Sequence, residues 1–156
     1  VAILGRGGAA QSVAASLADQ EMEIVLHCRP GTRHHRKLAE DRYVISEQPA
    51  EITSADLLID ATGSDAEDSP EWPWSLDLFQ GEAALEMDYS RGETVFEKTL
   101  REDQGMEVWS GFDFFASQAR LQARHFYGIE VSLHTAIEMV REIRLERGRD
   151  NYPVIS

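Results

Sequence analysis

The chain has 156 residues, 42% hydrophobic and 28% charged, and its 28 Asp and Glu against 15 Lys and Arg give a net charge of −13. That charge disfavours nucleic acid and anionic membranes as partners, because neutralising phosphates requires the opposite sign. No apolar run approaches the roughly 20 residues of a membrane span, nothing resembles a charged leader with a cleavage site, and the one cysteine, Cys28, cannot form an internal disulfide, so a reducing cytoplasm is the expected setting.

The length fits a single domain over residues 1–156. The chain opens without Met on Val1-Ala2-Ile3-Leu4, which reads as the middle of a buried strand, so a fragment lacking an N-terminal substrate or catalytic domain is expected. Further strands are expected at Glu23–His27, Tyr43–Ile45, Asp56–Ala61, Ala83–Tyr89 and Glu107–Trp109. The first helix runs from about Gly8 to Asp19, burying Val13 and Leu17, with Ala10 and Ala14 small enough to let it sit close to a sheet. Other helices are expected at Thr32–Ala39, Thr94–Gln104, Phe112–Tyr127 and Ser132–Arg147. This alternation implies a doubly wound α/β fold with a mainly parallel sheet and flanking helices. Gly63–Trp74, with two prolines, reads as a long loop whose Asp65, Glu67, Asp68 and Glu71 are solvated charges, not metal ligands. On the last helix Leu133, Ile137, Val140 and Ile143 or Arg144 form one stripe, which either packs on its own domain or covers a neighbouring one.

Gly5-Arg6-Gly7-Gly8-Ala9-Ala10 follows a strand, opens a helix and matches G-x-G-x-x-(G/A). The match alone is weak, but its context is that of a Rossmann dinucleotide-binding turn. Gly5 takes the tight bend, Gly7 lets the backbone approach a pyrophosphate, and Ala10 permits close helix–sheet packing. The helix start then offers bare N–H groups and a positive dipole end to the anion.

NAD-binding versions end the second strand in an acid that bonds the ribose 2′-hydroxyl. Here Glu23-Ile24-Val25-Leu26-His27-Cys28 is followed by Arg29. From His27 to Ala39 there are four basic residues, Arg29, Arg33, Arg36 and Lys37, and no acid, leaving 11 of the 15 basic residues against all 28 acids elsewhere. Arg29 and Arg33 fall where an adenosine 2′-phosphate would sit, and guanidinium forks suit phosphate, so NADP is favoured over NAD. Arg36 and Lys37 read as an exposed helix face, and the adjacent His34 and His35 as surface residues, not a metal pair.

The later segments narrow the reading. Leu85-Glu86-Met87-Asp88-Tyr89, Thr94, Gly105, and Ser110-Gly111-Phe112-Asp113-Phe114-Phe115-Ala116-Ser117-Gln118-Ala119, with Phe126 and Gly128, resemble the C-terminal NADP-binding half of shikimate dehydrogenases. That family shows a strand ending in D-x-x-Y, a Thr a few residues on, and a helix headed by G-x-x-M-x-x-x-Q-A. The resemblance implies that Gly5, Arg6, Gly7, Gly8 and Ala9 hold the pyrophosphate and Arg29 and Arg33 the 2′-phosphate. It further implies that Thr62 and Gly63 line the cofactor, that Met87 and Gly111 lie against the nicotinamide, and that Tyr89 and Gln118 reach a shikimate-like substrate. From the residues alone, Met87 and Tyr89 could equally be core, and Gln118 a solvent or capping residue. Cys28 and Pro30 replace the usual Asn and Thr around Arg29, Asp60 stands for Asn, Glu86 for Asp and Phe114 for Met, and the Gly-Met after the Thr62 loop is absent.

The implied activity is NADPH-dependent, reversible reduction of 3-dehydroshikimate to shikimate, in a parent enzyme that stands alone or is fused to a dehydroquinase as some relatives are. Such a reaction needs a group that shuttles the alcohol proton, which in the family is a Lys–Asp pair of the N-terminal domain. The two lysines here, Lys37 and Lys98, stand in no such setting. No catalytic residue is therefore expected in this chain, which by itself is expected to bind cofactor weakly or not at all and to turn nothing over. The alternative is a non-catalytic, ligand-sensing or regulatory module of the same fold.

Overall fold

A computed structural model describes residues 1–29, 43–47, 49–63, 75–89 and 93–149. The expected helix at Thr32–Ala39 and the loop from 64 to 74 lie outside them. The chain forms two compact units, Val1–Ser110 and Gly111–Ser156.

The first unit is built on six strands: β1 (Ala2–Leu4), β2 (Val25–His27), β3 (Val44–Ser46), β4 (Leu57–Asp60), β5 (Ala83–Glu86) and β6 (Glu107–Trp109). All neighbours pair in parallel, in the order β3-β2-β1-β4-β5-β6. This is a Rossmann-like, doubly wound α/β fold, as the alternation of elements led one to expect. Central parallel strands are covered on both faces and are therefore apolar throughout: every residue of Ala2-Ile3-Leu4 is buried. Because side chains alternate across a strand, the two faces gather separate cores. Ile3, Leu26 and Ile59 pack with Ala10 and Ala14 of α1 (Gly8–Ala18), while Ala2, Leu4, Leu58 and Ala84 pack with Ile52, Phe79, Phe96 and Leu100. Full burial of each such Leu, Ile or Phe contributes about 1.5–3 kcal/mol. Val13 and Leu17 flank the first of these cores only partly buried.

Phe96 and Leu100 belong to a helix that differs from its expected continuous form: α2 (Val95–Lys98) widens into a π-helical turn over Thr99–Asp103. β5 also stops earlier than expected, at Glu86 instead of Tyr89. The Met87 N–H still reaches the Asp60 carbonyl at 3.0 Å, but the Asp88 N–H turns to the Glu86 carboxyl at 2.7 Å. A side chain that captures a nearby backbone donor competes with the ladder, so Met87 and Tyr89 lie beyond the strand and not on its face.

Ahead of β5, Gly81 is fixed by crowding: a Cβ there would lie 2.4 Å from the Ala55 carbonyl oxygen and 2.4 Å from the buried Phe79 ring. Gly81→Ala is expected to destabilise the chain by about 2–3 kcal/mol through overpacking, read as a lower urea midpoint at unchanged slope; an unshifted midpoint would contradict this packing.

The second unit is a helical pair, α3 (Gly111–Tyr127) and α4 (Leu133–Arg149), whose helices pack together. Gly128, at φ +66°, ends α3 with its N–H on the Arg124 carbonyl. The Ser132 hydroxyl caps α4 by accepting the Thr135 N–H at 3.0 Å. The α4 stripe is divided: Ala136 is buried, Ile137 and Val140 are half-buried, and Leu133, Met139 and Ile143 are exposed. Among the described residues no helix is long and apolar enough to cross a membrane.

Candidate functional site

In open α/β sheets ligands bind beyond the carboxyl ends of the strands where the strand order reverses, here at β1 between β2 and β4. The bend after β1 is built by Gly5, at φ +102°, whose N–H donates to the His27 carbonyl at 2.8 Å. A Cβ at Gly5 would lie 2.9 Å from the Ala61 carbonyl oxygen and 3.2 Å from the Thr62 nitrogen, so only glycine lets the bend close on the end of β4. Gly7 and Gly8 are the reverse case, both exposed and facing open space, with no atom within 4 Å of where a Cβ would lie. Gly7 caps α1 without any side-chain bond, and the first turn carries no acid. The opening N–H groups of a helix have no intrahelical acceptor, and the exposed Gly8 and Ala9 carry theirs at the positive end of the dipole. Gln11 braces the bend from inside, its Nε2 donating to the Arg6 carbonyl at 2.9 Å.

The bond from Gly5 to His27 also brings the end of β2 to the bend. Cys28 is buried there, its N–H on the Ser46 carbonyl at 3.0 Å, and half-buried Arg29 follows. Burial pushes the Cys28 thiol up, and the Glu47 charge adds to this, while the Arg6 charge pulls it down. Arg6, Cys28, Arg29 and Glu47 thus share one corner beyond β1, β2 and β3. Arg33, expected in the same corner, lies outside the described residues, as do Arg36 and Lys37.

On the other side of the bend, β4 and β5 end in register with Asp60 opposite Glu86. Asp60 is buried and its Oδ1 accepts the Thr62 N–H at 2.8 Å, which sets the turn carrying Thr62 and Gly63. Glu86, 2% exposed, accepts the Asp88 N–H through Oε1 and the Thr94 hydroxyl through Oε2 at 2.8 Å. Thr94 in turn caps α2: its Oγ1 accepts the Glu97 N–H at 3.2 Å, and Glu97 Oε2 accepts the Thr94 N–H at 3.1 Å. Burial first, then the Asp60 charge, pushes the Glu86 carboxyl up to about 8, against the two hydrogen bonds it accepts. Sequence reasoning noted Glu86 and Asp60 only as departures from a family pattern. The spacing Thr94-x-x-Glu97, a capping-box signature, was the signal for half of this network.

The structure therefore brings Gly5–Ala9, Arg29, Thr62–Gly63 and Met87–Tyr89 to the same ends of the same sheet. Met87 is half-buried against the core beneath α1, whereas Tyr89 is 48% exposed and is not a core residue. Gly111 and Gln118 belong to the second unit. Gly111 opens α3 and is buried; Gln118 is exposed on α3 and borders an open groove of about 510 Å³ walled by Phe114, Leu121 and Phe126.

No known family profile matches the chain, and no curated protein matches it in sequence. Its structural neighbours include shikimate dehydrogenases, in keeping with the motifs. One is the shikimate 5-dehydrogenase of Thermus thermophilus, in a structure with NADP(H) and shikimate, at 26% identity and a TM-score of 0.76, covering 90% of this chain and 54% of that one. The shikimate dehydrogenase of Aquifex aeolicus shares the fold at 20% identity and a TM-score of 0.73, covering 90% and 52%. So does the 5-ketofructose reductase of a Gluconobacter species, at 19% and 0.70, covering 91% and 55%. The chain spans about half the length of each of these proteins.

Proposed function

We propose that the chain is the NADP-binding domain, residues 1–156, of a shikimate dehydrogenase, and that the whole protein reversibly reduces 3-dehydroshikimate to shikimate. The observation that carries this reading is the bend itself: Gly5 is wedged against Ala61, while Gly7 and Gly8 leave open space before bare helix N–H groups. That space suits a diphosphate, which needs backbone donors at close range and no side chain in the way. When bound, the dinucleotide supplies the hydride.

In this reading the N–H groups of Gly5 to Ala9 grip the diphosphate, and Arg29, with Arg33, takes the 2′-phosphate. Arg6, whose charge reaches the same corner as Arg29, offsets the Glu47 carboxylate that would otherwise repel that phosphate. Thr62 and Gly63 line the cofactor, Met87 lies along the nicotinamide, and Tyr89 orients the substrate. The proton shuttle comes from outside the chain: Lys98 is exposed on α2, and Lys37 lies outside the described residues. The chain alone accordingly turns over no shikimate.

The test is a titration of the full chain with NADP and with NAD, repeated for Arg29→Ala. A charge-assisted bond to phosphate contributes about 1.5–3 kcal/mol, so NADP affinity is expected to fall about 10- to 100-fold while NAD affinity stays constant. Equal affinity of the wild-type chain for the two cofactors would overturn the 2′-phosphate assignment.

A further inference from the structure

Asp60 on β4, Glu86 on β5 and Glu97 on α2 are each 2% exposed; the Glu86 carboxyl accepts the Thr94 hydroxyl, the Glu97 carboxyl accepts the Thr94 backbone N–H, and Asp60 faces Glu86 in strand register. Two of them perform the same task on adjacent strands. Asp60 holds the N–H two residues on, at Thr62, and Glu86 holds the N–H two residues on, at Asp88. Each bond sets the first turn of a loop leaving the carboxyl end of the sheet. Among the described residues no cluster is arranged to hold a metal ion.

We propose that the Glu86 carboxyl is the positioning group of the Met87–Tyr89 segment and makes that segment's hold on the nicotinamide half of the cofactor sensitive to pH. This rests on the reading of the chain as an NADP-binding domain. With its proton, Glu86 is neutral and fits a buried space at the ends of β4 and β5, beside the start of α2. The charges it faces are Asp60 and Glu97, both negative. Also charged on the flanking segments are Asp88, whose backbone it already holds, the exposed Lys98, and Glu93 and Arg101, which pair with each other. Among the described residues, an ionised Glu86 therefore has no cation to meet in place. Desolvation and two like charges drive it toward water, because a buried charge without an opposite partner is costly. When it leaves, the Asp88 N–H and the Thr94 hydroxyl lose their acceptor, and the turn that aims Met87 and Tyr89 is released. The adenosine half, held at the far side of the bend by Gly5–Ala9 and Arg29, is untouched.

The experiment titrates the full chain, wild type and Glu86→Gln, with NADP and with 2′,5′-ADP, which has the adenosine and 2′-phosphate but no nicotinamide, from about pH 7 to about pH 9.5, either side of the Glu86 titration. For the wild type, NADP affinity is expected to fall about tenfold above about pH 8 while 2′,5′-ADP affinity stays within about twofold. Glu86→Gln, which keeps a neutral carbonyl acceptor, should hold both affinities flat. An equal fall for both ligands, or a fall that persists in Glu86→Gln, overturns the proposal. Binding by this domain alone is expected to be weak, so both ligands are taken to millimolar concentration; if neither binds there, the reading of the domain itself fails, and if 2′,5′-ADP binds and the NADP profile is flat, only the role of Glu86 does. A second readout needs neither ligand nor variant: the Asp88 amide resonance of the wild-type chain should titrate near pH 8, and a titration complete below about pH 6 overturns the proposal.

Discussion

Gly5→Ala is expected to cost the chain about 2–5 kcal/mol of stability and to abolish cofactor binding, whereas Gly7→Ala should leave stability within about 0.5 kcal/mol and reduce binding alone. The two glycines sit two residues apart in one motif, and their surroundings are opposite. At φ +102° an L side chain is strained, and the Cβ added by Gly5→Ala would meet the Ala61 carbonyl oxygen at 2.9 Å and its carbon at 3.0 Å, both main-chain atoms that move only with β4. At Gly7 the φ of −66° is ordinary and no atom lies within 4 Å of a built Cβ. A methyl group is therefore tolerated there until a diphosphate needs the same space. Urea denaturation and NADP titration of the two variants separate the effects. If Gly7→Ala bound NADP as tightly as the wild type, the open space at the bend would not be the diphosphate site.

Between about pH 5 and about pH 8 the wild-type chain is expected to lose about 1.4 kcal/mol of stability per pH unit on account of Glu86, on the order of 4 kcal/mol in all, and Glu86→Gln is expected to remove that slope. In the folded chain burial and the Asp60 charge push this carboxyl up to about 8; unfolded, it titrates at the ordinary value of about 4.3. Below the unfolded value both states carry the proton and Glu86 adds no pH dependence. Above it only the folded state does, so folding must take up a proton and stability falls as pH rises. Beyond about 8 neither state carries it and the loss is complete. The difference between the denaturation midpoints of the variant and the wild type, followed over this range, isolates Glu86 from the other carboxylates; parallel profiles would mean that Glu86 is ionised in the fold. The stability loss ends where the proposed loss of NADP affinity begins, so the two effects of one carboxyl are separable on the pH axis.

Gly81 and Glu86 mark the limit of what could be read along the chain. The sequence by itself indicated the six strands in chain order and the helices α1, α3 and α4, because strand and helix periods and the Gly5–Ala10 bend are set within a few neighbouring residues. It also marked Arg29 as the place where a ribose-binding acid is missing. Only the tertiary structure decided that the Gly5 bend meets Cys28 and Arg29, through the parallel pairing of β1 with β2, and that Gly81 lies against Ala55 and Phe79. It also decided that the last residue of β5 faces the last residue of β4, where burial and the Asp60 charge push its carboxyl up to about 8. A carboxylate's proton affinity depends on burial and on nearby charges in space, and strand register, which brings those charges together, is a long-range choice that no local pattern encodes.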